Sequence, residues 1–429
     1  MTTTVTPKTP ATPESPETAL APRKWKTPIL LGVFALVSLL IFSLRLDPSL
    51  TTRIDLNSRT VPIELPPLVL PSMLTNLILS TLMIAFAAYT AKLAYDRKKI
   101  PMWGIALFAA LWVIALIVWV GAGANVPFVW LLTGTLAIST PLVFGSMAGL
   151  VSERAGVVNI AIEGQLLAGA FASALVSSMT GSWVAGILAA LVAGVLVSVV
   201  LALFSITYWV EQVVVGVVIN MIVIGLTSYL YSGLMASNRE LYNSPDTYDA
   251  WPIPLLSSIP IIGPVFFSHS IITYLMFILV PLLTWALFNT RWGLRTRSVG
   301  EHPKAADTVG INVNRNRWFN VLLSGAIAGV GGSFYTLGSV GAFNQEVTSG
   351  QGYIALAALI FGRWHPVYAT LAALLFGFAS NFRTLATQVG ANVPSELLSM
   401  VPYIVTVLAV IGFVGQSRGP AASGVPYIK

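Results

Sequence analysis

Eleven apolar runs decide what this chain can become. They occupy 27–44, 67–91, 101–121, 127–150, 157–179, 183–208, 212–234, 271–289, 318–340, 366–380 and 395–413. A helix needs about 20 apolar residues to cross the hydrocarbon of a bilayer, and most of these runs have that length. A water-soluble domain has no room to bury so many. Composition agrees, since 56% of the 429 residues are hydrophobic and 9% charged, where soluble domains run near a quarter charged. The expectation is an all-α fold, a polytopic membrane helical bundle of about 10–12 transmembrane helices.

One apolar segment, 353–362, has about half the length a crossing needs. Arg363-Trp364-His365-Pro366 separates it from 366–380. Two readings stay open: broken helices of the kind found beside transport pathways, or ordinary short helices tilted in the bundle. With 353–362 counted as a crossing, the connections fall into two sets. The set 1–26, 92–100, 151–156, 209–211, 290–317, 363–365 and 414–429 holds 18 of the 23 Lys and Arg residues. Positive residues stay inside, which puts both termini in the cytoplasm. A re-entrant hairpin over 353–380 would leave that parity unchanged. The same pattern accounts for the net charge of +7 as membrane topology, with no nucleic acid needed.

Residues 1–22 are rich in Thr, Pro and Ala and read as a disordered tail. They are not expected to be a signal peptide, because the apolar run starts late, at Ile29, and no small-residue cleavage site follows. The expected organisation is a cytoplasmic tail (1–26), additional transmembrane helices (27–126), a core (127–415) containing a polar loop (290–317), and a second tail (416–429). The absence of cysteine excludes disulfides, thiolate metal sites and a cysteine nucleophile. His269, His302 and His365 are too scattered for a metal site. No phosphate loop, H-E-x-x-H, G-x-S-x-G or dinucleotide fingerprint occurs. No enzyme activity, cofactor or metal is expected in this chain, and energy from ATP would have to arrive through a partner.

Polar groups at bilayer depth are costly and each needs a reason. In Ser152-Glu153-Arg154-Ala155-Gly156-Val157-Val158-Asn159-Ile160-Ala161-Ile162-Glu163-Gly164-Gln165, a helix starting at 157 would set Asn159 and Glu163 on one face, four residues apart. Gly156 and Gly164 would allow close backbone approach. A second face carries Gln212, Gly216 and Asn220 at the same spacing. Both faces suit either a pathway or gate, or a buried network locking helix to helix. Gly325 and Gly329, in Ser324-Gly325-Ala326-Ile327-Ala328-Gly329, form a small-residue face for helix packing.

The loop 291–311 is more structured than a charge anchor requires. Pro303 suits the first position of a helix, Ala305 and Ala306 are strong helix formers, and Gly310 suits the left-handed residue past its end. A two-turn helix over 303–309 is expected outside the membrane, as an ordinary positive loop or a docking element. It is too short to stand alone.

These strings together resemble a family. SERAGVVNIAIEGQLLAGAF (152–171) is similar to the signature of nucleoside-type ABC-importer permeases, relatives of the ribose and branched-chain amino-acid permeases. EQVVVGVVINMIVIGLT (211–227), RTRSVGEHPKAADTVGINV (295–313), SGAIAGVGGSF (324–334), GQGYIALAALIFGRWHP (350–366) and VPYIVTVLAVIGF (401–413) follow in the family's order. The resemblance implies a type II importer permease fold in a bacterial inner membrane. It implies a cytoplasmic ABC ATPase that binds ATP and Mg, a second permease chain (a heterodimer, or alternatively a homodimer), an extracytoplasmic solute-binding protein, and a nucleoside cargo, purine in particular. Glu301, Pro303, Lys304, Ala305, Ala306, Asp307 and Gly310 would form the coupling element. Asn159, Glu163, Gln212 and Asn220 would line the pathway. Ser152, Glu153, Arg154, Gly156, Gly164, Gly325 and Gly329 would serve as signature and packing residues. Alternatives are a ribose-like sugar or branched-chain amino-acid cargo, an ATP-independent carrier or channel using Glu163, and a scaffold without transport.

Overall fold

The computed structural model describes residues 25–58, 61–98, 100–390 and 419–428. The expected span 395–413, with its motif 401–413, and the tail 1–22 lie outside the described residues. Two compact units emerge, one of residues 1–50 and 71–119, the other of 51–70 and 120–429.

The first unit is three apolar helices, α1 (Lys26–Ser43), α2 (Ser72–Tyr95) and α3 (Met102–Val120). Leu31, Ala35 and Phe42 of α1 pack with Met83, Ala87, Phe108 and Ala115. Phe42 stacks on Trp119 with ring centroids 4.9 Å apart. The end of α1 widens to π-helical turns over Ser38–Ser43. The Asn76 amide donates to the Phe42 carbonyl there at 3.0 Å, and Ser38 and Ser80 share a hydrogen bond of 2.8 Å. Polar side chains inside an apolar bundle thus answer one another, as hydrocarbon demands.

The second unit opens with short strands β1 (Thr51–Asp55), β2 (Leu68–Pro71) and β3 (Asn125–Pro127). β1 pairs with β3 in parallel, Arg53 opposite Asn125. Four long helices follow: α4 (Phe128–Arg154), α5 (Ile162–Thr180), α6 (Trp183–Thr207) and α7 (Gln212–Met235). Then come short helices α8 (Arg239–Tyr242) and α9 (Ile262–Phe266), with strands β4 (Trp251–Pro252) and β5 (Ser268–His269) paired antiparallel around α9. Helix α10 (Ile271–Asn289) leads to α11 (Arg291–Glu301) and α12 (Pro303–Thr308). Last are α13 (Val313–Val340), the short α14 (Gln351–Phe361) and α15 (Pro366–Gln388). Among the described residues, ten helices are long and apolar enough to cross a membrane, and α14 is the shorter apolar one.

Glycines fix the centre of this unit. Helix α13 packs against α4, α5 and α6. A Cβ on Gly325 would overlap the Gly194 carbonyl oxygen, and one on Gly329 the Ala190 carbonyl. Small residues therefore bring backbones into contact where apolar side chains gain nothing over lipid.

The sequence reading needs two corrections. The segment expected as a short or broken helix over 366–380 runs on as α15 to Gln388, 23 residues in all and long enough to cross. Asn159 and Glu163 do not share a helix face. Helix α5 begins at Ile162, and Asn159 sits in the irregular stretch before it. The break follows from Gly156 at φ +89°, a left-handed conformation that glycine adopts freely. The expected two-turn helix at 303 is present as Pro303–Thr308, with proline at its first turn and Val309 as its cap.

Candidate functional site

The stretch 157–161 is irregular backbone inside an apolar bundle, so its amides and carbonyls need partners. Side chains from α7 supply them. Gln212 accepts the Val158 N–H at 2.7 Å. Asn220 accepts the Gly164 N–H at 2.8 Å through Oδ1 and donates to the Ile160 carbonyl at 2.9 Å. Gly164 stands in the first turn of α5, whose N–H groups have no helical acceptor, so Asn220 caps α5 from another helix. Gly216 lies between them because a Cβ there would come within 2.8 Å of the Ile160 side chain. The face expected from the spacing of Gln212, Gly216 and Asn220 is therefore real, and it grips the loop.

Glu163 does the corresponding work for α14. Its carboxylate accepts the Thr348 hydroxyl at 2.5 Å and the N–H groups of Gly350 and Gly352 at 2.9 and 2.6 Å. Helix α14 has 11 residues, roughly 16 Å of rise, so it starts well inside the bundle. One carboxylate serves two helix N-termini there, α5's own and that of α14, and both favour negative charge. Asn159 donates to Gln165 at 3.0 Å and to Ser324 at 2.8 Å, and Gln165 donates to Ser198 at 2.8 Å. These bonds join α5, α6 and α13.

The structure brings Asn159, Glu163, Gln212 and Asn220 into one polar knot and buries all four, at 0%, 4%, 0% and 1% exposure. Beside the knot stands Tyr353, 45% exposed, whose hydroxyl accepts from Asn220 at 3.0 Å. Ser198 and Thr348 belong to none of the strings read from the sequence, and Gln165, Ser324 and Tyr353 stand in them without a role of their own. The G-Q-G-Y string at 350–353 held the one usable signal, an aromatic phenol beside glycines that permit close approach.

A second cluster forms where α4 ends. Arg154 sets its guanidinium on the Trp364 carbonyl, Nε at 2.9 Å and Nη2 at 2.6 Å. The Trp364 indole N–H donates to Glu153 at 2.5 Å. The turn so held contains Arg363 and Trp364 at φ +51° and +53°, a conformation costly for side-chain-bearing residues. His365 stacks on Phe288, centroids 5.0 Å apart. Gly300 of α11 presses on this cluster, since a Cβ there would overlap the Arg154 carbonyl oxygen. Ser152 closes the end of α4 by donating to the Val157 carbonyl at 2.7 Å.

Helix α12 follows and packs against α11 and the start of α13. Ala306 is its buried residue, packed with Val299 and Val313. Glu301, Lys304, Ala305, Thr308, Val309 and Gly310 are exposed, Val309 at 74%. Gly310 has φ +84°, as its place past the helix end requires. Among the described residues no group of His, Asp or Glu side chains could hold a metal ion.

Buried polar knots, a helix break and small-residue packing in a bundle of membrane-length helices define a multi-pass membrane protein. Residues 131–410 match the profile of a family described as "Branched-chain amino acid transport system / permease component", and the chain belongs to that family. It is 41% identical over 305 residues to the guanosine ABC transporter permease protein NupQ of Bacillus subtilis (strain 168), covering 69% of this chain and 95% of that protein. It is 40% identical over 304 residues to the nucleoside ABC transporter permease protein NupC of Lactococcus lactis subsp. cremoris (strain MG1363), covering 68% and 95%. The putative glucose ABC transporter permease protein TsgC13 of Haloferax volcanii is 29% identical over 297 residues, covering 65% and 89%. No solved structure matches the chain.

Proposed function

We propose that this chain is the transmembrane permease subunit of an ATP-driven importer that carries nucleosides, purine nucleosides in particular, into the cytoplasm. The observation that carries the reading is the match to NupQ and NupC at 41% and 40% identity over 95% of each protein. The buried knot fits it, because a nucleoside offers hydroxyl and amine groups to a polar wall. Tyr353 is the exposed face of that wall, with Asn159, Glu163, Gln212 and Asn220 fixing its geometry from behind. A putative glucose permease among the relatives favours a sugar as the second cargo to test.

On this reading ATP and Mg are bound by a separate cytoplasmic ATPase. A second permease chain, related but distinct, completes the path, and an extracytoplasmic protein delivers solute. Both termini face the cytoplasm of a bacterial plasma membrane, because 18 of the 23 basic residues fall on connections of one side. Helix α12 then faces the ATPase, which presses on Lys304, Ala305 and Val309. Displacement of α11 passes through Gly300 to the Arg154 carbonyl, and from there into the loop that Gln212 and Asn220 hold. Only a partner with different affinity for the two access states can drive the flip.

The experiment is uptake of radiolabelled guanosine, ribose and glucose by a strain lacking this chain, with and without restoring it. Restored guanosine uptake is expected, and restored sugar uptake alone would move the reading to the second cargo. In proteoliposomes, transport by this chain without an ATPase would overturn the importer reading. With the ATPase present, Ala305→Trp combined with Lys304→Glu is expected to leave ATP hydrolysis running and abolish uptake.

A further inference from the structure

Helix α12 has 6 residues and buries one of them, Ala306. A helix that short does not hold its shape unaided, and a lever that yields transmits nothing. Its support comes partly from far along the chain. Tyr427, 8% exposed, completes the cluster of Val299, Ala306 and Val313, and its hydroxyl donates to Asp307.

The residues before Tyr427 continue the attachment. The Ala422 N–H donates to the Gly300 carbonyl at 2.8 Å, and the Ala421 N–H to the Glu301 carboxylate at 3.2 Å. Arg317 of α13, 1% exposed, donates through Nη1 to the Val425 carbonyl at 2.9 Å. Its Nε and Nη2 find no partner among the described residues, so Val425 is the acceptor that answers this buried charge. Gly156 is pinned between the same groups: a Cβ there would lie 2.9 Å from Arg317 Nη2 and 3.2 Å from the Ala422 oxygen. At its start the segment passes under Trp364, where a Cβ on Gly419 would lie 3.0 Å from the indole ring.

Gly419–Ile428 therefore touches α11, α12, the first turns of α13, the loop after α4 and the Trp364 turn. These are the parts that must move together if a push on α12 is to reach the polar knot. We propose that Gly419–Ile428 is a strap that makes them one rigid body, with Tyr427 and Ala422 as positioning residues for coupling. The proposal rests on the reading of α12 as the ATPase contact. The strap stays seated through the transport cycle and sets how much transport each ATP yields.

The test uses the complete transporter in proteoliposomes, this chain with its ATPase and second permease, and reads guanosine imported per ATP hydrolysed. Removal of 419–429, and Tyr427→Ala alone, are expected to lower that ratio about tenfold or more while the ATPase stays bound and active. Tyr427→Phe keeps the ring and loses the bond to Asp307, so it is expected to restore most of the ratio. Ala305→Trp with Lys304→Glu, which leaves the strap intact, is the reference. If the reference loses uptake and strap removal does not, the strap inference is wrong and the reading of α12 stands. If neither loses uptake, the reading of α12 itself falls. The chain has no cysteine of its own, so His302→Cys with Ala421→Cys can be joined by a flexible bis-maleimide. Transport surviving that link supports a strap that never lets go, and transport lost on linking overturns it.

Discussion

The carboxylate of Glu163 accepts the Gly352 amide at 2.6 Å, tying the first turn of α5 to the first turn of α14. Its other oxygen takes the Thr348 hydroxyl and the Gly350 amide. Glu163→Gln keeps the shape and gives up the charge. Hydrogen bonds to charged groups contribute about 1.5–3 kcal/mol against about 1 for neutral ones, so a loss of about 2 kcal/mol is expected. Glu163→Ala leaves buried donors without acceptors, each costing about 1–3 kcal/mol, and should lower the yield of folded protein as well. Thermal unfolding in detergent, followed by tryptophan fluorescence, measures both. A Gln variant with unchanged unfolding but an altered KM for nucleoside would make Glu163 a pathway group instead of a lock.

Asn220 and Tyr353 separate support from contact. Asn220→Ala orphans the Gly164 N–H and the Ile160 carbonyl, and about 2–4 kcal/mol of destabilisation is expected from two unpaired buried groups. Asn220→Asp keeps the acceptor for Gly164 but turns an anion toward the Ile160 carbonyl, so it should not rescue. Tyr353→Phe leaves both of those bonds in place and should cost about 1 kcal/mol or less. If Tyr353 faces the cargo, its loss of the hydroxyl raises the KM for guanosine severalfold. An unchanged KM in uptake assays would take Tyr353 out of the pathway.

Glycines in this chain are expected to behave oppositely according to what surrounds them. Gly325→Ala drives a methyl into the Gly194 carbonyl and the Ser198 hydroxyl. Overpacking costs about 1–3 kcal/mol, and backbone leaves little room to yield. Gly225→Ala meets nothing within 4 Å on an exposed position of α7, so it should be neutral or stabilising by up to about 1 kcal/mol. Unfolding temperatures of the two variants, measured side by side, test the contrast.

The helices were legible because hydrocarbon thickness imposes a length that residues can be counted against. The Gln212–Gly216–Asn220 face was legible because four-residue spacing is a local property. Asn159 was misplaced for a reason that is not local. The chain turns at Gly156, but 157–161 stays irregular because Gln212 and Asn220, 54 and 60 positions away from their partners, satisfy its backbone. Nothing in the string around 159 announces those partners, and a helix with an i, i+4 pair was the cheaper reading. Glu163 shows the same limit, since Thr348 and the glycines it caps lie at least 185 residues away. Gly419–Ile428, rich in Gly, Ala and Pro, looks like a tail until Tyr427 is seen against Ala306.

His365 gives the second cluster a pH signature. Its ring stacks on Phe288, lies 4.8 Å from the Tyr368 ring, and has a buried Nδ1 with no partner among the described residues. Burial, and after it the charge of Arg154, hold the imidazole below its ordinary value of 6.5. The unfolded chain therefore takes up this proton at higher pH than the folded one. Stability from this group is present above about pH 6.5 and is lost as pH falls from there toward the lowered folded value. His365→Phe keeps a ring against Phe288 and Tyr368 and removes the titration. Unfolding temperatures of wild type and variant are expected to run parallel above pH 7 and to separate below about pH 6.5, the wild type falling more steeply. Parallel curves down to about pH 5 would mean that His365 takes up its proton equally well folded and unfolded, and burial beside Arg154 would then not disfavour its charged form.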